Sequence, residues 1–303
     1  MNSPECIMPG FKLVLASGDF IASIYPEKKR DVENHALNFK QALWREYFAV
    51  RDLLYKMLGR ESLVVVKGKI LTNHTEYLEQ AEIPWLQSHY RDWTRDALTQ
   101  ANGETILFNE AWKAGENWMP GSPLGEGGTV LVRRNAIVVG EETAYGSSLE
   151  IEELEQEGYK VATLPPVTNP RSGFIPHHVD GQATLLETKT GELVLIIARS
   201  YEKQDDGKTA DATSLAAETI GAHKIVIDDR RLPPLALNLI QFDDFSIAMT
   251  AGAPRLENLL KGLVGKDRVF TTDTPIRLIP SNTEGGIRCM TNIFPEALIT
   301  PVS

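Results

Sequence analysis

Cys289 stands in "NTEGGIRCMTNIFP" (residues 282–295), a glycine pair followed by a short apolar run, and the only other cysteine is Cys6. Such a thiol is either a small core residue or a nucleophile that bare glycine backbone lets a substrate approach. Thr291 and Asn292 add polar groups just beyond it. A nucleophile needs partners from elsewhere in the chain. In "FIPHHVDGQATLL", His178 and Asp180 are two apart, so on an extended segment they face one side and His177 the other. An imidazole beside a carboxylate suits general acid–base work, and equally a surface polar patch. "LGEGGTVLV" sets Glu126 before two glycines and a strand, either a solvated turn or a carboxylate with substrate pressed on bare backbone. "YRDWTRDALTQ" carries Asp96 behind Arg95, on its own an ordinary alternation of surface charge.

Composition bounds what this chemistry can be. The 303 residues are 42% hydrophobic and 24% charged, which suits a folded globular chain with an ample core. Two cysteines exclude a disulfide framework and a thiolate metal site, and they fit a reducing compartment. The start, "MNSPECIMPGFKLVLASGDF", has no basic leader before its apolar stretch, and no apolar run approaches the roughly 18–20 residues that span a bilayer. The expectation is a cytoplasmic protein without a membrane partner. The net charge of −10 argues against nucleic acid, whose phosphates need clustered Lys and Arg, and an acidic field favours a cationic substrate.

The elements that must position these residues recur along the chain. "GTVLVRRNAIVVG" reads as a hairpin turning at Arg134-Asn135, followed by the helical "SSLEIEELEQEG" and the strand "YKVATL". "QATLLETKTGELVLIIA", "DATSLAAETIGA" and "HKIVID" repeat that order, as do "LALNLIQFDDFSIAMTAG", "PRLENLLKGLVG" and "DRVFTT". Period-two apolar alternation marks the hairpins and 3.6-period spacing the helices. Each copy is about 50 residues long, an internal repeat. "FKLVLASGDFIASIY", a helix across roughly 31–58 and "SLVVVKG" supply another copy, and the strand around Cys289 completes a hairpin. Units of this kind bury their apolar faces only against each other, so a closed ring of about five is expected. An ordinary α+β sandwich is the other arrangement that fits.

Taken in order, "WTRD" ending at Asp96, "EGG" from Glu126, "HVD" from His178 and "GGIRCMTN" around Cys289 resemble the motifs of the guanidino-modifying enzymes. These are the arginine, agmatine and peptidylarginine deiminases, dimethylargininase and the amidinotransferases. The resemblance implies an α/β pseudo-fivefold propeller, the pentein fold, built from ββαβ units, here one catalytic domain spanning 1–303. It implies Cys289 as nucleophile, His178 as acid and base, and Glu126 as a catalytic carboxylate. Asp96, Asp180 and Arg288 would bind the substrate. A guanidinium is planar and charged, and its N–H forks suit carboxylates. Thiolate attack on its carbon leads to a thiouronium intermediate, which water then hydrolyses. No cofactor or metal is implied, because the substrate already carries the electrophilic charge.

Two departures bear on specificity. Where arginine deiminases continue into Glu-Arg-Thr, with an arginine for the substrate α-carboxylate, this chain reads "VVGEETAYGSS", with Glu142 at that place. That disfavours free arginine unless Arg288, Arg133 or Arg134 takes over, and leaves room for decarboxylated or peptide-borne guanidines. Aspartate at position 96, where arginine dihydrolases carry asparagine, favours a single deimination. The expected activity is hydrolysis of a small-molecule or peptidyl guanidine at a linear amidine C–N bond, within arginine metabolism. An amidinotransferase passing the same intermediate to an amine is an alternative, as is a non-catalytic propeller that only binds. Substrate tail and oligomeric state are left open by the sequence.

Overall fold

A computed structural model describes residues 7, 9–16, 33–66, 80–82, 98–101, 104–108, 127–168, 178–228, 232–283, 286–295 and 300–301. In chain order these form β1 (Phe11–Leu15), α1 (Glu33–Leu58), β2 (Leu63–Val66), β3 (Gln80–Glu82) and the strands β4 (Leu98–Ala101) and β5 (Glu104–Phe108). There follow β6 (Val130–Arg133), β7 (Ala136–Gly140), α2 (Glu141–Gly146), α3 (Ser148–Gln156) and β8 (Lys160–Leu164). Next come β9 (Ala183–Glu187), β10 (Leu193–Ala198), α4 (Arg199–Glu202), α5 (Lys208–Ile220) and β11 (Ala222–Ile227). The last are β12 (Ile240–Gln241), β13 (Ile247–Met249), α6 (Pro254–Val264), β14 (Val269–Thr271), α7 (Leu278–Thr283), β15 (Thr291–Pro295) and β16 (Thr300–Pro301).

The fold is α/β, built of several small mixed sheets. A short turn permits only antiparallel pairing, whereas a parallel neighbour needs a crossover long enough to hold a helix. The sequence supplies both in each repeat. β6 pairs antiparallel with β7, Val130 opposite Val139, and β7 pairs parallel with β8. β9-β10-β11 and β12-β13-β14 have the same pattern. A fourth copy is assembled from the two ends of the described chain. β15 lies antiparallel to β1, Leu15 opposite Thr291, and β1 runs parallel to β2 across the long helix α1. β3 and β16 extend that sheet to five strands, and β4-β5 is a two-stranded hairpin.

Two apolar clusters fill the interior. One gathers β6 to β14 with helices α5 and α6, and buries Val138, Ile196, Ile197 and Leu256. The other packs α1 on β1 and β2 through Leu43, Tyr47, Val50 and Leu54, the helical spacing that puts them on one face. Phe242 and Ala248 from the third repeat and Ile287 and Met290 beside the cysteine join this second cluster. α1 also carries two buried polar groups. The Tyr47 hydroxyl donates to the Ala16 carbonyl at 2.7 Å. The Glu46 carboxylate accepts from the backbone N–H groups of Arg277 and Leu278, both at 2.9 Å, and Ile279 at 2.8 Å. These are donors at the start of α7, which no turn of helix can satisfy. Among the described residues no helix is long and apolar enough to cross a membrane.

Glu46→Ala strands three backbone donors, one of them buried and two part-buried, and should lower stability by about 2 kcal/mol in urea unfolding, whereas Glu46→Gln, which keeps one accepting oxygen, should lose less. Equal stability of the Ala variant and the wild type would refute the assignment of Glu46 as the cap of α7.

Candidate active site

Four strands begin just after a small or polar residue: Gly128 before β6, Asp180 before β9, Asn238 before β12 and Cys289 before β15. The segments that carry these residues are joined to one another. The Gly128 carbonyl accepts from the N–H groups of Val179 at 2.9 Å and Asp180 at 3.2 Å. Asn238 Oδ1 accepts from the N–H groups of Arg288 at 2.8 Å and Cys289 at 3.3 Å. Its Nδ2 donates to Asp180 Oδ2 at 2.7 Å and to Cys289 Sγ at 3.1 Å. Arg288 Nη1 donates to the same Asp180 oxygen at 2.9 Å, and Nη2 to the Val130 carbonyl. Sγ itself lies 3.5 Å from Asp180 Oδ2. Asp180 is 2% exposed, Cys289 5% and Arg288 9%.

The electrostatics follow from burial. A carboxylate this enclosed persists as an ion only against a compensating charge, and Arg288 provides it. The Asn238 amide donates to the sulfur and so favours a thiolate, while the nearby carboxylate opposes one.

Glycine is required twice by crowding. A Cβ on Gly128 would lie 2.5 Å from His178 Nδ1 and 2.8 Å from its Cγ, so the imidazole packs directly on the backbone of the glycine motif. A Cβ on Gly286 would lie 2.6 Å from Asn238 Oδ1. Both glycines thus make room for neighbouring protein groups, where the sequence suggested room for a substrate.

The segment that carries His178 and Asp180 is not the extended strand expected. The Val179 carbonyl accepts from both Gln182 and Ala183, at 3.0 and 2.9 Å, so the segment turns and β9 starts only afterwards. Asn238 has no counterpart in the sequence reading. The signal for it was the repeat itself: the first of two amides inside "LALNLIQF" stands just before its strand, the place that Asp180 and Cys289 occupy in their own units. The Thr291 hydroxyl donates to the Ile287 carbonyl at 2.9 Å and closes the turn that presents Cys289. Arg133 and Arg134 end β6 and its turn, about 13 Å of strand away from Thr129, on the side remote from Cys289. Glu142 is exposed on α2, at the end of the β6–β7 hairpin that carries Val130. Asp96, Glu126, Cys6, His177 and Gly285 lie outside the described residues. Among the described residues no three His, Cys, Asp or Glu are grouped to hold a metal ion.

No family model matches the chain, and no curated protein does. Solved structures do. A cysteine-to-serine mutant of DDAH from Pseudomonas aeruginosa, complexed with citrulline, aligns over 94% of this chain and 99% of its own at 15% identity and a TM-score of 0.54. A cysteine-to-serine agmatine deiminase from C. jejuni with substrate bound aligns over 95% and 96%, at 12% identity and a TM-score of 0.56. The N-terminal domain of a cyanobacterial arginine dihydrolase, likewise a cysteine-to-serine mutant bound to substrate, aligns over 93% and 97%, at 13% identity and a TM-score of 0.52. These neighbours belong to the guanidino-modifying, pentein-fold enzymes, and the chain shares their fold.

Gly286→Ala pushes the Asn238 amide off two backbone donors and should cost about 1–3 kcal/mol in urea unfolding. Gly128→Ala should turn the His178 ring away and shift its imidazole resonances by NMR while the protein stays folded. A Gly286→Ala protein of wild-type stability would show that the amide is not held where the geometry puts it.

Proposed function

We propose that the protein is a cysteine-dependent hydrolase of a guanidino C–N bond. The observation that carries this reading is the placement of Cys289 Sγ, 3.1 Å from the Asn238 amide and 3.5 Å from the Asp180 carboxylate in one buried cluster. It is supported by structural neighbours whose cysteine-to-serine forms hold citrulline or substrate. The repeats would close as a pseudo-fivefold propeller, one catalytic domain over residues 1–303, with β4-β5 in the unit that precedes β6.

In the reaction, Asp180 accepts N–H groups of the substrate guanidinium and holds it flat, and Asp96 and Glu126 complete the set of carboxylates. The Cys289 thiolate attacks the guanidinium carbon, forming a C–S bond and a tetrahedral adduct. The C–N bond breaks as His178 protonates the departing amine, which leaves a thiouronium on the enzyme. His178 then takes a proton from water; the hydroxide adds to the same carbon, the C–S bond breaks, and a ureido product leaves with the thiolate restored. Arg288 acts through Asp180, which it neutralises and orients, and Asn238 fixes sulfur and carboxylate relative to each other. Tail specificity falls to the Glu142 end of the site, since Arg133 and Arg134 end the strand on its remote side. The reading therefore favours a guanidine without a free α-carboxylate, agmatine-like or peptide-borne.

Cys289→Ser should reduce turnover by a factor of at least about 10³ with the fold intact, and Cys6→Ser should be nearly neutral; equal losses from both would sink the assignment. His178→Ala should stall the reaction before the adduct forms or leave a thiouronium detectable by mass spectrometry, while His177→Ala should cost little.

The decisive assay is ureido product and ammonia or amine release from arginine, agmatine, methylarginines and peptidyl-arginine. Transfer of the amidino group to added glycine would make the protein an amidinotransferase, and no turnover of any guanidine would leave only binding. Glu142→Arg should improve arginine relative to agmatine. A wild type that prefers free arginine by orders of magnitude would overturn the assignment of the tail to Glu142.

A further inference from the structure

Large apolar side chains stand exposed at three places among the described residues, and two of these are neighbours on one surface segment. Tyr145 on α2 is 91% exposed and Leu149 on α3 is 71% exposed. The inward positions of the two helices are already filled, by Thr143 and Leu154, so both side chains face water. Each has carboxylates one helical turn away: Glu141 and Glu142 precede Tyr145 by four and three residues, and Glu152 and Glu153 follow Leu149 by three and four. The stretch 141–157 holds seven glutamates, all exposed, and no Lys, Arg or His. This arrangement works against the helices themselves. Like charges one turn apart repel, and Glu155 and Glu157 stand at the C-terminal end of α3, where the helix dipole favours cations. Exposed apolar groups and unbalanced charge are both relieved when a surface bearing apolar groups and cations covers them. The segment starts close to the site. Gly140, the N-cap of α2, directly follows Val139, the ladder partner of Val130, whose carbonyl accepts from Arg288.

We infer that the α2–α3 surface docks a basic segment of another polypeptide, its Lys or Arg side chains on the glutamates and its apolar side chains against Tyr145 and Leu149. The sign of the charge disfavours nucleic acid and anionic lipid, and a second copy would set one acidic face against another. A small polyamine would match the charge but leave the apolar pair in water, whereas an aromatic side chain is an effective anchor for a docked chain. The docking rests on no step of the reaction proposed at Cys289.

The test is fluorescence anisotropy of the full-length protein with a short labelled peptide of lysines interspersed with leucines, and with the same peptide carrying serine for leucine. Lysine keeps the probe out of any guanidine chemistry, so the outcome is separable from that of the turnover assay. The expected Kd for the lysine–leucine peptide is about 10 μM at about 20 mM NaCl, weakening roughly tenfold at about 200 mM. The serine peptide should bind roughly tenfold more weakly, as should the lysine–leucine peptide to Tyr145→Ser/Leu149→Ser and to Glu152→Lys/Glu153→Lys. Glu61→Lys/Asp267→Lys makes the same change of net charge at exposed positions elsewhere and should stay within about twofold of the wild type. Wild-type affinity in either folded α2–α3 variant, an equal loss in Glu61→Lys/Asp267→Lys, or equal binding of the two peptides would each overturn the proposal, the last by reducing the surface to a site for counterions. So would a dimer in sedimentation velocity that Tyr145→Ser/Leu149→Ser abolishes, because a second copy would then be the occupant.

Discussion

Everything at the site depends on keeping one carboxylate charged in the interior. Asp180 is almost wholly buried, and an ion taken out of water at such a place costs several kcal/mol unless charge and hydrogen bonds replace its hydration. Here they come from two other units of the fold. Arg288 brings the positive charge and Asn238 the amide donor, both to the same oxygen. The requirement therefore ties three repeats together at one point, and the thiol sits inside that knot because it directly follows Arg288 in the chain. Removing any member leaves the others improperly solvated, so the geometry of Cys289 follows from the solvation of Asp180.

Much of the architecture was legible beforehand because period-two and 3.6-period patterns are local properties of the chain. Residues 128–140 read as a hairpin, and they hold β6 and β7; "DATSLAAETIGA" read as a helix, and all but its last residue, which opens β11, falls within α5 and its cap. What could not be read is set by distant partners. Arg288 beside a thiol looked like a contact for substrate, yet its guanidinium turns inward to Asp180 and Val130. The turn at Val179 escaped notice because "HHVDGQ" permits either an extended or a turned path, and the choice rests on the Gly128 carbonyl, which draws in the N–H groups of both Val179 and Asp180. Asn238 looked like one polar interruption in an apolar run. Only the alignment of successive units gives that amide a meaning.

The structural neighbours agree with this chain at fewer than one residue in six and still share its fold. The physical basis is that the elements rest on alternation and helical spacing, which many residues satisfy, while crowding singles out few positions. Gly128 under the imidazole and Gly286 under the amide are such positions. A methyl group at either would move a functional side chain and barely touch the core. Sequence is thus least replaceable where the backbone itself serves as a wall.

The pairing of β15 with β1 sets Leu15 opposite Thr291, the widest separation of any ladder among the described strands. During synthesis the first strand leaves the ribosome long before its antiparallel neighbour exists, so one edge of its sheet stays open until the segment bearing Cys289 has been translated. The thiol acquires its amide and carboxylate neighbours in that same closing event. The setting of Cys289 is thereby completed only when strands from far apart in the sequence have paired.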